Sequence, residues 1–226
     1  MIFVKKIFGN DAIHMLPLPG GFIIAVKQNQ YSDHIVVSYK MATLETNVLN
    51  SVTRNVYQLA KFGNNFQLFE KVLKDYLNCK TIQLGGGRLF SVYPDGRAAL
   101  YSPSAELLWE GYLKYKEYGP SDVARHGECL WAAYPESNTL IRYNLSTFRE
   151  ELRIGGGDNS AFAYPVSLWI DGGRMLICNT DSHRILEVDL TTFSVYDYAE
   201  FEEPVKQYIR VGDTEIVLLE SGVYTL

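Results

Sequence analysis

The sequence predicts an all-β ring of five small antiparallel sheets, and three observations predict it. The first is repetition: AYPESNTLIRYNLSTF from Ala133 and NTDSHRILEVDLTTF from Asn179 share one plan, with Leu145 and Leu190 45 positions apart. The second is a series of glycine turns at Gly20, Gly86, Gly127, Gly172 and Gly212, spaced 66, 41, 45 and 40 residues apart. The third is a column of turn residues after each apolar run, such as Asp95-Gly96, Ser137-Asn138 and Ser182-His183.

Each unit justifies its strands in the same order. An innermost strand leads to the glycine turn, which supplies the positive φ of a tight hairpin. An apolar run follows, in PLPGGFIIAV from Pro17, IQLGGGRLFSV from Ile82, ARHGECLWAA from Ala124, WIDGGRMLIC from Trp169 and IRVGDTEIVL from Ile209. Such a run suits a strand buried on both faces. A third strand comes next (HIVVSYK, RAALYS, TLIRYNL, RILEVDL, VYTL), and in most units a more polar fourth (LLWEGYLKY, REELRIG, SVYDYAEF). Four strands with a period of about 40–45 residues are the pattern of propeller blades, so the expected fold is a five-bladed β-propeller over residues 1–226 as a single domain.

The fifth unit ends at Leu226 after its third strand, while the chain opens with IFVKKIFG, which resembles the ends of other units. Residues 2–8 are therefore expected to complete the last blade, removing the open seam. The long first spacing leaves roughly 25 extra residues, a length that invites an insertion. Within 53–78, Phe66, Phe69, Val72, Leu73, Tyr76 and Leu77 form a helical stripe with Asn65 as N-cap. Strands in that segment instead of helix would make six blades. The helix is expected to pack on the ring; a docking element is the other reading.

Composition excludes several classes. A net charge of −5 with no Lys/Arg run gives nucleic acid no basic footprint. No run reaches the roughly 18 apolar residues of a membrane span, and the charged N-terminus is no signal peptide. Three widely spaced cysteines, Cys79, Cys129 and Cys178, read as free thiols in a reducing, cytoplasmic setting. Asn144-Leu145-Ser146 matches a glycosylation sequon but reads as a strand end.

Catalytic motifs are missing. The triplets Gly85–Gly87 and Gly155–Gly157 lack the pattern of a P-loop or dinucleotide loop and read as strand-to-strand turns. No G-x-S-x-G occurs. His14, His34, His126 and His183 form no metal-ligand spacing; His34 and His183 align in one turn column, and His14 lies in an innermost strand. Innermost strands line the channel of a propeller, and they begin near His14, Lys80, Asp122, Ser167 and Lys206, the expected ligand-binding set. Asp122 is expected beside Lys206 as a salt-bridged pair. Tyr112, Tyr115 and Tyr118 are expected to pack between blades.

Over Asn179–Asp189 the chain resembles the NHL-repeat class of β-propellers and, more loosely, the gluconolactonase-like and strictosidine-synthase-like propellers. Arg184-Ile185 and Val188-Asp189 fall where an NHL repeat places its Arg-Ile and its strand-ending Asp, while the usual Asp and Asn are Asn179 and Ser182 here. A weaker match covers Trp131–Phe148. The resemblance implies a central funnel used for binding and only sometimes for catalysis. Gluconolactonase-like propellers hold a divalent cation there with Glu, Asn and Asp, a set these positions do not supply. The expectation is a non-catalytic module for a protein, peptide or small-molecule ligand, without cofactor or metal. A lactonase-like hydrolase or lyase, and a scaffold docking through the helix, are the alternatives.

Overall fold

A computed structural model describes residues 5–9, 11–27, 34–48, 62, 65–73, 79–158 and 160–226. These residues form five four-stranded antiparallel sheets, the five-bladed propeller. Blade 1 is β2 (Ala12–Leu18), β3 (Gly21–Lys27), β4 (His34–Lys40) and β5 (Glu45–Val48). Blade 2 is β6 (Lys80–Gln83), β7 (Leu89–Val92), β8 (Arg97–Tyr101) and β9 (Leu107–Tyr112). Blade 3 is β10 (Asp122–His126), β11 (Cys129–Tyr134), β12 (Thr139–Asn144) and β13 (Glu150–Gly155). Blade 4 is β14 (Pro165–Asp171), β15 (Arg174–Asn179), β16 (Arg184–Asp189) and β17 (Val195–Glu200).

Blade 5 joins the two ends of the chain. To β18 (Val205–Val211), β19 (Thr214–Leu219) and β20 (Gly222–Thr225) it adds β1 (Lys5–Phe8), with Lys5 opposite Thr225 and Lys6 opposite Tyr224. Gly222 permits this approach: a Cβ there would collide with the Phe8 carbonyl. The closing strand is thus the one expected, although Ile2–Val4 lie outside the described residues.

Second strands are apolar because both faces are covered: all of β7 and Leu130–Tyr134 of β11 are buried. Their alternate side chains feed the cores between neighbouring blades. Phe90 and Leu100 meet Leu130 and Ile141 between blades 2 and 3, while Trp131 and Leu140 meet Ile177 and Leu186 between blades 3 and 4. All five anchor glycines take positive φ, between 59° and 73°.

The repeated Leu-Ser/Thr-Thr-Phe has a physical cause. Asn144 Oδ1 accepts the N–H groups of Ser146 and Thr147, and Asp189 Oδ1 those of Thr191 and Thr192. Each Asx turn swings a phenylalanine into left-handed backbone, Phe148 at φ 52° and Phe193 at φ 59°. The rings wedge against the preceding blade, Phe148 on Trp109 at 3.9 Å between centroids and Phe193 on Trp131 at 6.1 Å.

Helix α1 (Phe66–Val72) is shorter than the stripe suggests, and Tyr76 and Leu77 lie outside the described residues. Phe69 and Leu73, one helical turn apart, are buried against Leu89, Ala99 and Tyr101 of blade 2. Val72 is not part of the buried face: it is 38% exposed, because a short helix on a sheet covers only one narrow stripe. Asn65 precedes the helix but does not cap it; its Nδ2 donates instead to the Pro103 carbonyl of blade 2 at 2.8 Å.

Candidate functional site

Pairing register defines the mouth of the channel. His14, Lys80, Asp122 and Ser167 lie opposite Ala25, Val92, Ala133 and Cys178 on their second strands. In blade 5 the residue in this column is Gln207, opposite Leu218. Lys206, expected there, occupies the register break between Val205 and Gln207, as Ile13 and Val166 do in blades 1 and 4. An extra residue in one strand reverses the side-chain alternation after it. Counting back from the turn glycine finds Gln207, five residues before Gly212 as Asp122 is before Gly127. Counting from Pro204 misses it by one, although counting from Pro120 and Pro165 reaches Asp122 and Ser167.

The column residues hold blades to one another. Gln207 grips the backbone of blade 1: its Oε1 accepts from Met15 N at 2.7 Å and its Nε2 donates to Met15 O at 2.9 Å. The Oδ2 of Asp122 accepts from the Ser167 hydroxyl at 3.0 Å and from Leu168 N at 2.9 Å, tying blade 3 to blade 4. Lys80 of blade 2 faces Asp122 Oδ1 at 3.8 Å. Thr180 Oγ1 donates to Val205 O at 2.8 Å, joining blades 4 and 5. Half-buried His14 has a partner as well.

The predicted Asp122–Lys206 pair is not formed. Lys206 bonds Glu220 on its own blade at 2.5 Å, and Asp122 takes Lys80 instead, because the register break turns Lys206 out of the column. Asp122 is consequently well supplied with donors: Val123 N also reaches Oδ1 at 3.0 Å. A carboxylate offers about four lone-pair sites, so few remain for a substrate. Among the described residues no three His, Cys, Asp or Glu side chains stand close enough to hold a metal ion.

Other expectations resolve individually. His34 opens β4 opposite Lys27, whereas His183 sits in the turn before Arg184, so the two histidines do not share a column. Tyr112 and Tyr118 are exposed at 64% and 47%; only Tyr115 packs, edge-on against Tyr134 at 6.0 Å. β9 is an outer edge, and an edge strand has no neighbour to cover its outer side chains. Cys79, Cys129 and Cys178 are not joined in disulfides; Cys79 and Cys178 are buried, while Cys129 is half-buried and donates to Glu151 at 3.5 Å. Burial pushes the Cys178 thiol well above its ordinary range.

No protein-family model matches the sequence, and neither does any curated protein. Solved structures match the fold. A streptogramin B lyase aligns over 99% of this chain and 72% of its own, with 8% identity and a TM-score of 0.52. The Myxococcus xanthus glutaminyl cyclase aligns over 99% and 92%, with 11% identity and a TM-score of 0.51. The Myceliophteria thermophila Cps50 (Swd1) β-propeller domain aligns over 91% and 65%, with 12% identity and a TM-score of 0.52. At these identities the likeness is one of fold, and it spans two enzymes and a propeller domain; fold does not select among such functions.

Proposed function

We propose that this chain is a non-catalytic binding propeller of the NHL-like kind that recognises a protein, peptide or small-molecule ligand at the mouth of its channel. The observation that carries this reading is the condition of Asp122. Its oxygens are engaged by a hydroxyl, two backbone N–H groups and an ammonium group, so it is a joint of the ring rather than a free base. In the register breaks of blades 1 and 5 stand Ile13, 44% exposed, and Lys206, paired with Glu220. An exposed apolar group and paired charges suit recognition. Cysteines outside disulfides fit a reducing, cytoplasmic setting.

The test is divalent-metal content of the purified chain, thermal melting with Ca²⁺ or with chelator, and turnover of simple lactones. The reading expects melting indifferent to chelator and no turnover. Stoichiometric metal whose removal lowers Tm, or hydrolysis abolished by chelator, overturns it in favour of a lactonase-like enzyme. A second reading, docking through α1, rests on Leu68 and Val72, which are 40% and 38% exposed on the outer side of the helix. Charging both positions with glutamate leaves Phe69 and Leu73 in place, so loss of partner capture with unchanged Tm would favour docking.

A further inference from the structure

A cleft of about 380 Å³ lies between blades 2 and 3, at the end of the sheets where the glycine turns sit and away from the Asp122 column. Its size falls within the range of small-molecule sites, about 300–1,000 Å³. Leu108, 53% exposed, and the stacked, half-buried Trp109–Phe148 pair form its apolar wall, over the buried Leu84, Leu100 and Leu145. Arg88, Arg125 and Glu128 line the same cleft, and the two arginines converge on one turn. Arg88 Nε donates to Gly85 O at 3.1 Å, and Nη1 of Arg125 stands 3.9 Å from where a Cβ on Gly85 would be.

The ring contains its own comparison for this pair. Leu84 bonds Arg88 across the glycine turn of blade 2, as Asp171 pairs with Arg174 across that of blade 4. Arg125 and Arg210 each stand one residue before the end of the next inner strand. The two junctions therefore carry equivalent arginines. Between blades 4 and 5, Asp171 Oδ2 accepts from Arg210 at 2.9 Å and from Arg174 at 3.4 Å. Between blades 2 and 3 the corresponding position is Leu84, which is buried and uncharged. Arg125 has Glu128 at 3.4 Å, but that side chain is 79% exposed, and a hydrated surface pair binds weakly.

We infer that this cleft binds a small organic anion with a flat apolar body, its carboxylate or phosphate standing between Arg88 and Arg125 as Asp171 stands between Arg174 and Arg210. Guanidinium forks suit either anion. The apolar part lies against Trp109 and Phe148. This site is separate from the mouth and does not depend on how the mouth is used.

The test uses 2-naphthoate, 2-naphthyl phosphate and neutral 2-naphthamide, followed by calorimetry and tryptophan fluorescence. Both anions are expected to bind saturably at one site, and the amide at least about tenfold more weakly, as loss of a charge-assisted bond implies. Arg88→Gln and Arg125→Gln should each weaken the anions about tenfold or more, with Arg125→Lys recovering part of the loss. Tighter binding of the phosphate assigns a phosphate ester, and tighter binding of naphthoate a carboxylate. Absence of saturable anion binding, equal binding of the amide, or arginine variants that bind like the unaltered chain overturns the inference. Both arginines end in solvent-facing turns, and an unchanged circular dichroism spectrum and Tm confirm that the variants fold.

Discussion

At the junction of blades 4 and 5, Arg174 and Arg210 share one carboxylate from Asp171; at the junction of blades 2 and 3, Arg88 and Arg125 hold the same two positions around Leu84. The strand register is common to both, but the turn is three glycines long in blade 2 and two in blade 4, and Leu84 stands where Asp171 does. Aromatic packing follows the same division. Phe148 stacks against both Trp109 and Phe90, which also meet each other, and this cluster holds blades 2 and 3 together beside the cleft. The difference teaches that in a ring of repeats the informative position is the one whose partner is missing relative to its equivalents.

Five substitutions break or sharpen this comparison. The largest effect is expected from Phe148→Ala, which removes the ring stacked on both Trp109 and Phe90 and should cost about 3 kcal/mol in denaturant unfolding. Phe193→Ala should cost less, since Phe193 meets only the tilted Trp131 ring among the described aromatics; an equal or greater loss would show that the two wedges do not differ. Next comes Gln207→Ala, which leaves Met15 N–H and C=O without their side-chain partners and should cost about 1–3 kcal/mol. Because an amide carries no charge, this loss should not change with salt.

Asp171→Asn should cost less, under about 1 kcal/mol, because the carboxylate is 42% exposed and the two arginines 35% and 32%, so all are screened. Its effect should shrink as salt rises, in contrast to Gln207→Ala. The smallest effect concerns the two Asx turns. Backbone N–H groups of Thr192 and Thr191 hold the Asp189 carboxyl below its ordinary value of 3.8. The ionised form therefore stabilises the fold at pH above 3.8, and that contribution is lost as pH falls through the lower folded value. Asp189→Asn, which copies Asn144, should be slightly less stable at neutral pH and indistinguishable in acid. A difference that grows in acid would contradict the assignment.

Blades were legible in the sequence because burial on both faces leaves an unbroken apolar run, and because turn glycines mark where each run begins. The closing strand was legible from its likeness to other fourth strands. Individual side chains were less so. Lys206 was misplaced by one because a bulge, invisible in composition, inserts a residue between Pro204 and the column. Val72 matched the helical period yet faces solvent, since period does not say how wide the buried stripe is. The Arg88–Arg125 pair was hidden for another reason: its members sit on different blades, and their equivalence to Arg174 and Arg210 exists only in the strand register.

A crystal structure of the chain soaked with 2-naphthoate measures the account's main claim directly. The carboxylate should lie within hydrogen-bond distance of both Arg88 and Arg125, with the rings against Trp109 and Phe148. Naphthoate bound at the channel mouth, or a cleft left empty while the arginines point away from each other, would contradict it.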